Sequence, residues 1–173
     1  FWGIKEGEQQ LTEKERIDAS IKRARDYSIN QYNSVVKYMK SIGVKKPVHI
    51  GETGWATLDS DLYGDKGSKA TDEYKSAQFY KLMREWTNSA GISCFYFEAF
   101  DENWKDSANP AGSENHFGLI NLQSEAKYAL WDLVDKATFK GLTRNGKSIT
   151  KTYNGNEKSL WMDVKTPTRV LMN

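Results

Sequence analysis

The chain has 173 residues, with 25 Lys and Arg against 23 Asp and Glu for a formal net charge of +2. Near-neutral, interspersed charge excludes the electrostatic footprint of a nucleic-acid or anionic-membrane binder, and a mean hydropathy of −0.73 with no apolar run near the roughly 18 residues of a span excludes a transmembrane segment. A single cysteine, Cys94, excludes an internal disulfide or a cysteine-rich zinc site.

Thr12 followed by Glu15 is a capping-box pattern, and Ile17, Ile21, Ala24, Val35, Val36 and Met39 recur at helical spacing. They predict a long amphipathic helix over 12–42. Residues 44–53 open on Pro47 and a β-branched stretch and stop at Gly54, which predicts a buried strand ending near Glu52. A polar loop fills 55–69. Thr71, Asp72 and Glu73 form a helix start, followed by Phe79, Leu82, Met83, Trp86 and Ala90 on one face and Gly91 as the stop. Residues 92–100, continuously apolar and aromatic, predict a second strand buried on both faces. After a long loop at 101–123, Ala126, Ala129, Leu130, Leu133, Val134 and Ala137 predict a third helix. Asn145-Gly146 and Asn154-Gly155 then mark turns in a tail with a small hairpin.

This order is α/β, with connections that suit parallel βα units. Two parallel strands cannot by themselves make a sheet covered on both sides. Either the long loops hide further strands or the first strands of a larger sheet lie upstream of Phe1.

Glu52 ends one predicted strand and Glu98, Asp101 and Glu102 crowd the end of the next, the side on which parallel α/β sheets place ligands. With neighbouring strands about 4.8 Å apart, these carboxylates meet at one rim. Beside Trp55, Phe100 and Trp104 they have the parts of a sugar site: acids for glycosidic chemistry and flat faces for the C–H side of a pyranose. Two other readings stand next to this one: acids that cap helices or pair with lysines, and a hard-cation site. A calcium loop at Asp59, Asp61 and Asp65 lacks its third oxygen ligand at Tyr63 and its glutamate. His49 and His116 lack zinc spacing, no serine sits in a nucleophile elbow, and Cys94 reads as a small core hydrophobe.

Gly51-Glu52-Thr53-Gly54-Trp55 resembles the nucleophile motif of glycoside hydrolase family 17, the β-1,3-glucanases and their transglycosylating relatives. The run Tyr96 to Lys105, Tyr-Phe-Glu-Ala-Phe-Asp-Glu-Asn-Trp-Lys, is similar to that family's last barrel strand in its bacterial and fungal form. His116-Phe117-Gly118-Leu119 resembles the motif that follows. The resemblance implies the carboxyl-terminal part of a (β/α)8 TIM barrel, from the end of strand six through helix eight. Its span is 1–140, with 141–173 as a small extension packed on the barrel.

By that resemblance Glu52 is the nucleophile, and Glu102 and Lys105 are polar residues at the floor of the site, where the ammonium favours an ionised nucleophile. Glu98 hydrogen-bonds sugar, and Phe1, Trp2, Trp55, Phe100 and Trp104 are substrate-binding aromatics. No metal or organic cofactor is implied. The expected partner is a laminarin-like β-1,3-glucan, with no nucleic acid and no membrane, and with a complementary barrel half or self-association to cover the open sheet edge. Retaining chemistry needs a second carboxyl group about 5–5.5 Å from the first, and the family carries that general acid/base on strand four, upstream of Phe1. The letters Gly155-Asn156-Glu157 repeat the family's acid motif but follow a turn in the tail, without the apolar strand that should precede them. The expectation is therefore a retaining β-1,3-glucan hydrolase whose 173-residue piece is nearly inactive alone, with β-1,3-glucanosyl transfer or non-catalytic glucan binding as alternatives. The resemblance also implies a secreted or periplasmic home, and the missing initial methionine is read as the loss of an upstream half.

Overall fold

The structure, a computed structural model, describes residue 5, residues 7–59 and residues 69–166. Helix α1 (Glu13–Ser41) starts at the expected capping box: Glu15 N–H donates to the Thr12 hydroxyl, and the Glu15 carboxylate accepts from Thr12 N–H at 2.8 Å. Its first half buries Ile17, Ile21 and Ala24, while Val35 and Tyr38 in the second half and Ile42 just past its end face solvent. The apolar periodicity of that half is only partly used: Tyr32 packs edge-on against Trp86 with ring centroids 5.5 Å apart, and Val36 and Met39 are half-buried.

Strand β1 (Ile50–Thr53) is shorter than its sequence signal, because Val44 to His49 stay outside the ladder. Helix α2 (Glu73–Ala90) is capped by Asp72, whose carboxylate accepts from Lys75 N–H at 2.8 Å, and ends at Gly91 with φ +64°. Only glycine adopts that left-handed cap without a steric cost. Strand β2 (Cys94–Tyr96) pairs in parallel with β1.

Both helices pack on one side of this strand pair. Ile17, Ile21 and Ala24 of α1 meet Tyr74, Phe79 and Met83 of α2 around Trp55, with Ile50 and Tyr96 turned towards them. Burying a side chain such as Met83 contributes about 1.5–3 kcal/mol. The other side of the pair is open. Phe95 is 68% exposed, which corrects the expectation of a strand buried on both faces: alternate residues point to opposite faces, and no described element covers the second.

Residues 117–120 return to lie in parallel beside 98–101, just past the end of β2. Leu119 N–H donates to Glu98 O and Asp101 N–H to Ile120 O, both at 2.9 Å, and Phe100 bridges Ile120 in parallel. The expected helix over 126–137 shrinks to a 3-10 turn at Tyr128–Leu130 and helix α3 (Trp131–Asp135). Its first residues go elsewhere, since strand β3 (Glu125–Ala126) pairs with strand β6 (Thr150–Lys151) and Lys127 N–H is taken by Leu119 O. Strands β4 (Thr143–Arg144) and β5 (Lys147–Ser148) form a hairpin about Asn145-Gly146, both with positive φ. Helix α4 (Glu157–Asp163) follows with Asn156 as its cap, so the Gly155-Asn156-Glu157 letters mark a helix start and no strand end. Trp161 packs on Tyr74 with ring centroids 4.6 Å apart, which ties the tail to α2.

Candidate active site

The register between β1 and β2 slips by one residue: Ile50 faces Cys94 and Thr53 faces Tyr96, three steps against two. Strict alternation from the core-facing Ile50 would send Glu52 to the helix side. The extra residue turns it out, and both Gly51 and Glu52 are exposed. Two motif glycines hold the strand ends together. A Cβ on Gly54 would lie 2.1 Å from Phe97 O, and one on Gly118 would lie 2.0 Å from Asp101 N, so no larger residue permits these approaches.

At the end of β2, Lys105 Nζ donates to Glu98 Oε2 at 2.6 Å, lies 3.3 Å from Glu102 Oε2 and sits 3.8 Å above the Phe97 ring centroid. The structure thus brings Glu98, Glu102 and Lys105 into one cluster. Burial pushes the Glu98 carboxyl above its ordinary value of 4.5, against the pull of Lys105. Burial also works to lower the Lys105 ammonium, but the hydrogen bonds and charges of Glu98 and Glu102 outweigh it and the net direction is up. Glu98 Oε1 is buried with no protein donor among the described residues. Lys105 serves these two carboxylates and makes no ion pair with Glu52.

The aromatic candidates separate. Trp104 is 70% exposed and free to stack, and Phe100 is half-exposed. Trp55 is only 8% exposed, lies against Phe79 with ring centroids 5.1 Å apart and donates its indole N–H to Ala70 O at 2.8 Å. It packs in the core, pins the loop between β1 and α2, and lines the cavity beside Thr53, Gly54 and Phe117. Phe1 and Trp2 lie outside the described residues, as do Asp61, Tyr63 and Asp65.

Asp101 also leaves the rim. It is buried, accepts from Gly118 N–H at 2.9 Å and pairs with Lys127 Nζ at 2.7 Å. Lys127 further donates to the Thr57 hydroxyl at 2.7 Å and to His116 O at 3.3 Å. One ammonium therefore ties together the segments that follow both site strands, although burial pushes it below its ordinary value of 10.5 and the charge of Asp101 opposes the fall. Asn115 braces the loop that carries Trp104 and Lys105: its amide donates to Asp106 O at 2.8 Å and Asn109 O at 3.1 Å and accepts from Asp106 N–H at 3.0 Å. Sequence reasoning missed Lys127 and Asn115, since an isolated Lys or Asn in a loop carries no local signal.

Cys94 is half-buried and burial pushes its thiol up, as suits a packing residue. His49 is exposed, and the described residues contain no group of three His, Cys, Asp or Glu that could hold a metal ion.

Parallel strands flanked by helices, with one exposed and two half-buried glutamates at their carboxyl ends and an exposed aromatic side chain beside them, define a β/α protein with a polar rim site. The model of glycosyl hydrolases family 17 matches residues 30–131, more than half of the chain, and the chain belongs to that family. Among solved structures it is similar to an endo-laminarinase from Formosa Hel1_33_131, with 56% identity and a TM-score of 0.93 over 99% of this chain and 44% of the other. Among curated proteins it is similar to a glucan 1,3-beta-glucosidase of Arthroderma benhamiae, 35% identical over 112 residues that span 56% of this chain and 34% of that protein. The glucan 1,3-beta-glucosidase of Saccharomyces cerevisiae is 34% identical over 86 residues, 47% of this chain and 25% of that protein. The chain thus spans less than half the length of these relatives, and its architecture is consistent with part of a TIM barrel.

Proposed function

We propose that this chain is the carboxyl-terminal part of a (β/α)8 enzyme that hydrolyses β-1,3-glucan with retention, from the end of strand six through helix eight, with 141–173 as a packed extension. The observation that carries this reading is Glu52: a carboxylate turned out of the sheet by a bulge, exposed, one strand away from the Glu98, Lys105 and Glu102 cluster. The names of the similar proteins, an endo-laminarinase and glucan 1,3-beta-glucosidases, supply the substrate class.

In this reading Glu52 attacks the anomeric carbon as the leaving oxygen is protonated, and water then opens the glycosyl-enzyme ester. The orphaned Glu98 Oε1 accepts from a sugar hydroxyl, which replaces the donor that the protein withholds. Glu102 and Lys105 hold further hydroxyls, and Trp104 takes a pyranose face. Neither Glu98 nor Glu102 is the general acid, because both are engaged by Lys105 on one strand end. That acid comes from outside this chain, in a covalently continuous or complementary barrel half. The 173 residues alone are then nearly inactive on laminarin.

The test removes the need for the acid. A laminari-oligosaccharyl fluoride carries a leaving group that departs without protonation, so the chain should gain one glycosyl mass on the peptide containing Glu52, and Glu52→Gln should gain none. Labelling elsewhere, or binding without labelling, would refute the nucleophile and favour a glucan-binding role. Robust laminarin hydrolysis by residues 1–173, lost in Glu52→Gln, would overturn the external acid.

A further inference from the structure

The stretch after residue 131 lies beyond the family match, yet it reaches back to the site strand. The β4–β5 hairpin carries Arg144 to the end of β2, where its guanidinium lies 4.6 Å from the Phe100 ring centroid. Nη1 donates to Asn121 O at 2.7 Å and Nη2 reaches Asp101 O at 3.4 Å. Its own carbonyl accepts from the buried Ser124 hydroxyl at 2.9 Å, so the residue is fixed at both ends.

Phe100 is consequently backed on one side by a planar cation held by two backbone carbonyls. Phe100 as a residue remains 39% exposed, two residues beyond Glu98 and two before Glu102. A phenyl ring at a strand end has two free torsions, and holding it in one orientation removes an ordering cost from any ligand that lies against it. Arg144 makes no ion pair among the described residues, and its fork donates to two neutral carbonyls that hold it against the ring.

We infer that Arg144 is a positioning residue that fixes Phe100 as a platform for a glucosyl unit, so that the extension outside the family match sets how strongly the β2 rim grips a β-1,3-glucan. This rests on the glucan reading above and adds to it a residue, and a segment, that act on affinity through another side chain.

The experiment is a calorimetric double-mutant cycle on the 173-residue chain with laminaripentaose as the probe. Arg144→Met, which keeps the apolar stem and removes the cation, should weaken binding about fivefold, the scale of one cation–aromatic contact. Phe100→Ala should weaken it at least as much. In the Phe100→Ala background, Arg144→Met should cost nothing further, a result that general loosening of the fold does not produce because it would weaken both backgrounds. Unchanged binding in Arg144→Met, or losses that multiply in the double variant, would overturn the inference while leaving the glucan reading intact. No binding by the unaltered chain would instead overturn the glucan reading and this inference together.

Discussion

Asp101 and Glu102 are adjacent in sequence, and each belongs to a lysine–carboxylate cluster, one inside the protein and one at its rim. Inside, Lys127 binds Asp101, Thr57 and His116 O with almost no water near it, and burial drives the ammonium down from its ordinary value. At the rim, Lys105 binds Glu98 and lies near Glu102, and although burial is the largest single influence on its ammonium, the two carboxylates together hold it up. The same pair of functional groups therefore does two jobs. The inner cluster leaves no group free for a ligand and fixes where the segments after β1 and β2 run. The outer cluster keeps slack, with Glu98 Oε1 undonated and Glu102 partly exposed, and slack of that kind is what a hydroxyl-rich ligand can fill.

Breaking the inner cluster should have the largest effect. Lys127→Met leaves Asp101 charged and buried with a backbone N–H as its remaining close donor, and the loss of one partner of a buried pair costs about 3–5 kcal/mol. Denaturant unfolding of the variant checks it; a loss below about 1 kcal/mol, the value of an exposed pair, would show that water reaches the cluster. Next comes Gly54→Ala. The added methyl would meet a backbone oxygen rather than a flexible side chain, so β1 and β2 must separate, at a cost of about 1–3 kcal/mol. Circular-dichroism melts would register it, and glucan affinity should fall with it because Glu52 and Glu98 ride on the two strands.

Breaking the outer cluster should divide stability from binding. Lys105→Met removes a pair whose side chains are 16% and 14% exposed, against 6% and 5% for Lys127 and Asp101, so stability should fall by about 1–2 kcal/mol, less than in Lys127→Met. Laminari-oligosaccharide affinity should nevertheless fall about tenfold, the scale of a hydrogen bond to a charged group. A variant that loses stability as Lys127→Met does, with affinity intact, would erase the distinction between the clusters.

The same contrast explains what was legible in the sequence. Local chemistry wrote plainly: the Thr12 and Glu15 box, the Asp72 cap, Gly91 and Asn145-Gly146 all appear where their residue types require. The rim cluster was also readable, since Glu98, Glu102 and Lys105 lie within one strand end and its loop. What failed depended on distant partners. Ala126 and Lys127 look helical by spacing, but β6 and Leu119 claim their backbone. The burial of Trp55 likewise depends on Phe79 and Ala70 O, neither of which its own motif shows. The outward turn of Glu52 rests on a register slip that no single strand's sequence can express. The family itself was legible, because its two long motifs are contiguous runs, and the family match spans both.

The smallest predicted effect is a difference in pH dependence. Burial holds the Glu98 carboxyl above 4.5, so the native state keeps that proton to higher pH than the unfolded chain does. The resulting stability is fully present below the unfolded value and is lost as pH rises through the native one. Lys127 acts at the other end: its native value lies below 10.5, so the native state pays for its charge at neutral pH and the penalty is relieved as the unfolded ammonium deprotonates near 10.5. Glu73 is also raised by burial and Glu8, against burial, is lowered by its backbone and Arg23 partners, so the raw melting curve mixes several groups. The difference between Glu98→Gln and the unaltered chain isolates one of them. Gln mimics the protonated acid, so the two melting temperatures should coincide near pH 4 and separate above about pH 4.5, with the Gln variant the more stable and Lys105 still paired to Glu102. Separation in the opposite sense would mean that the Lys105 ammonium outweighs burial at Glu98, and the rim pair would then resemble the inner one more closely than its exposure suggests.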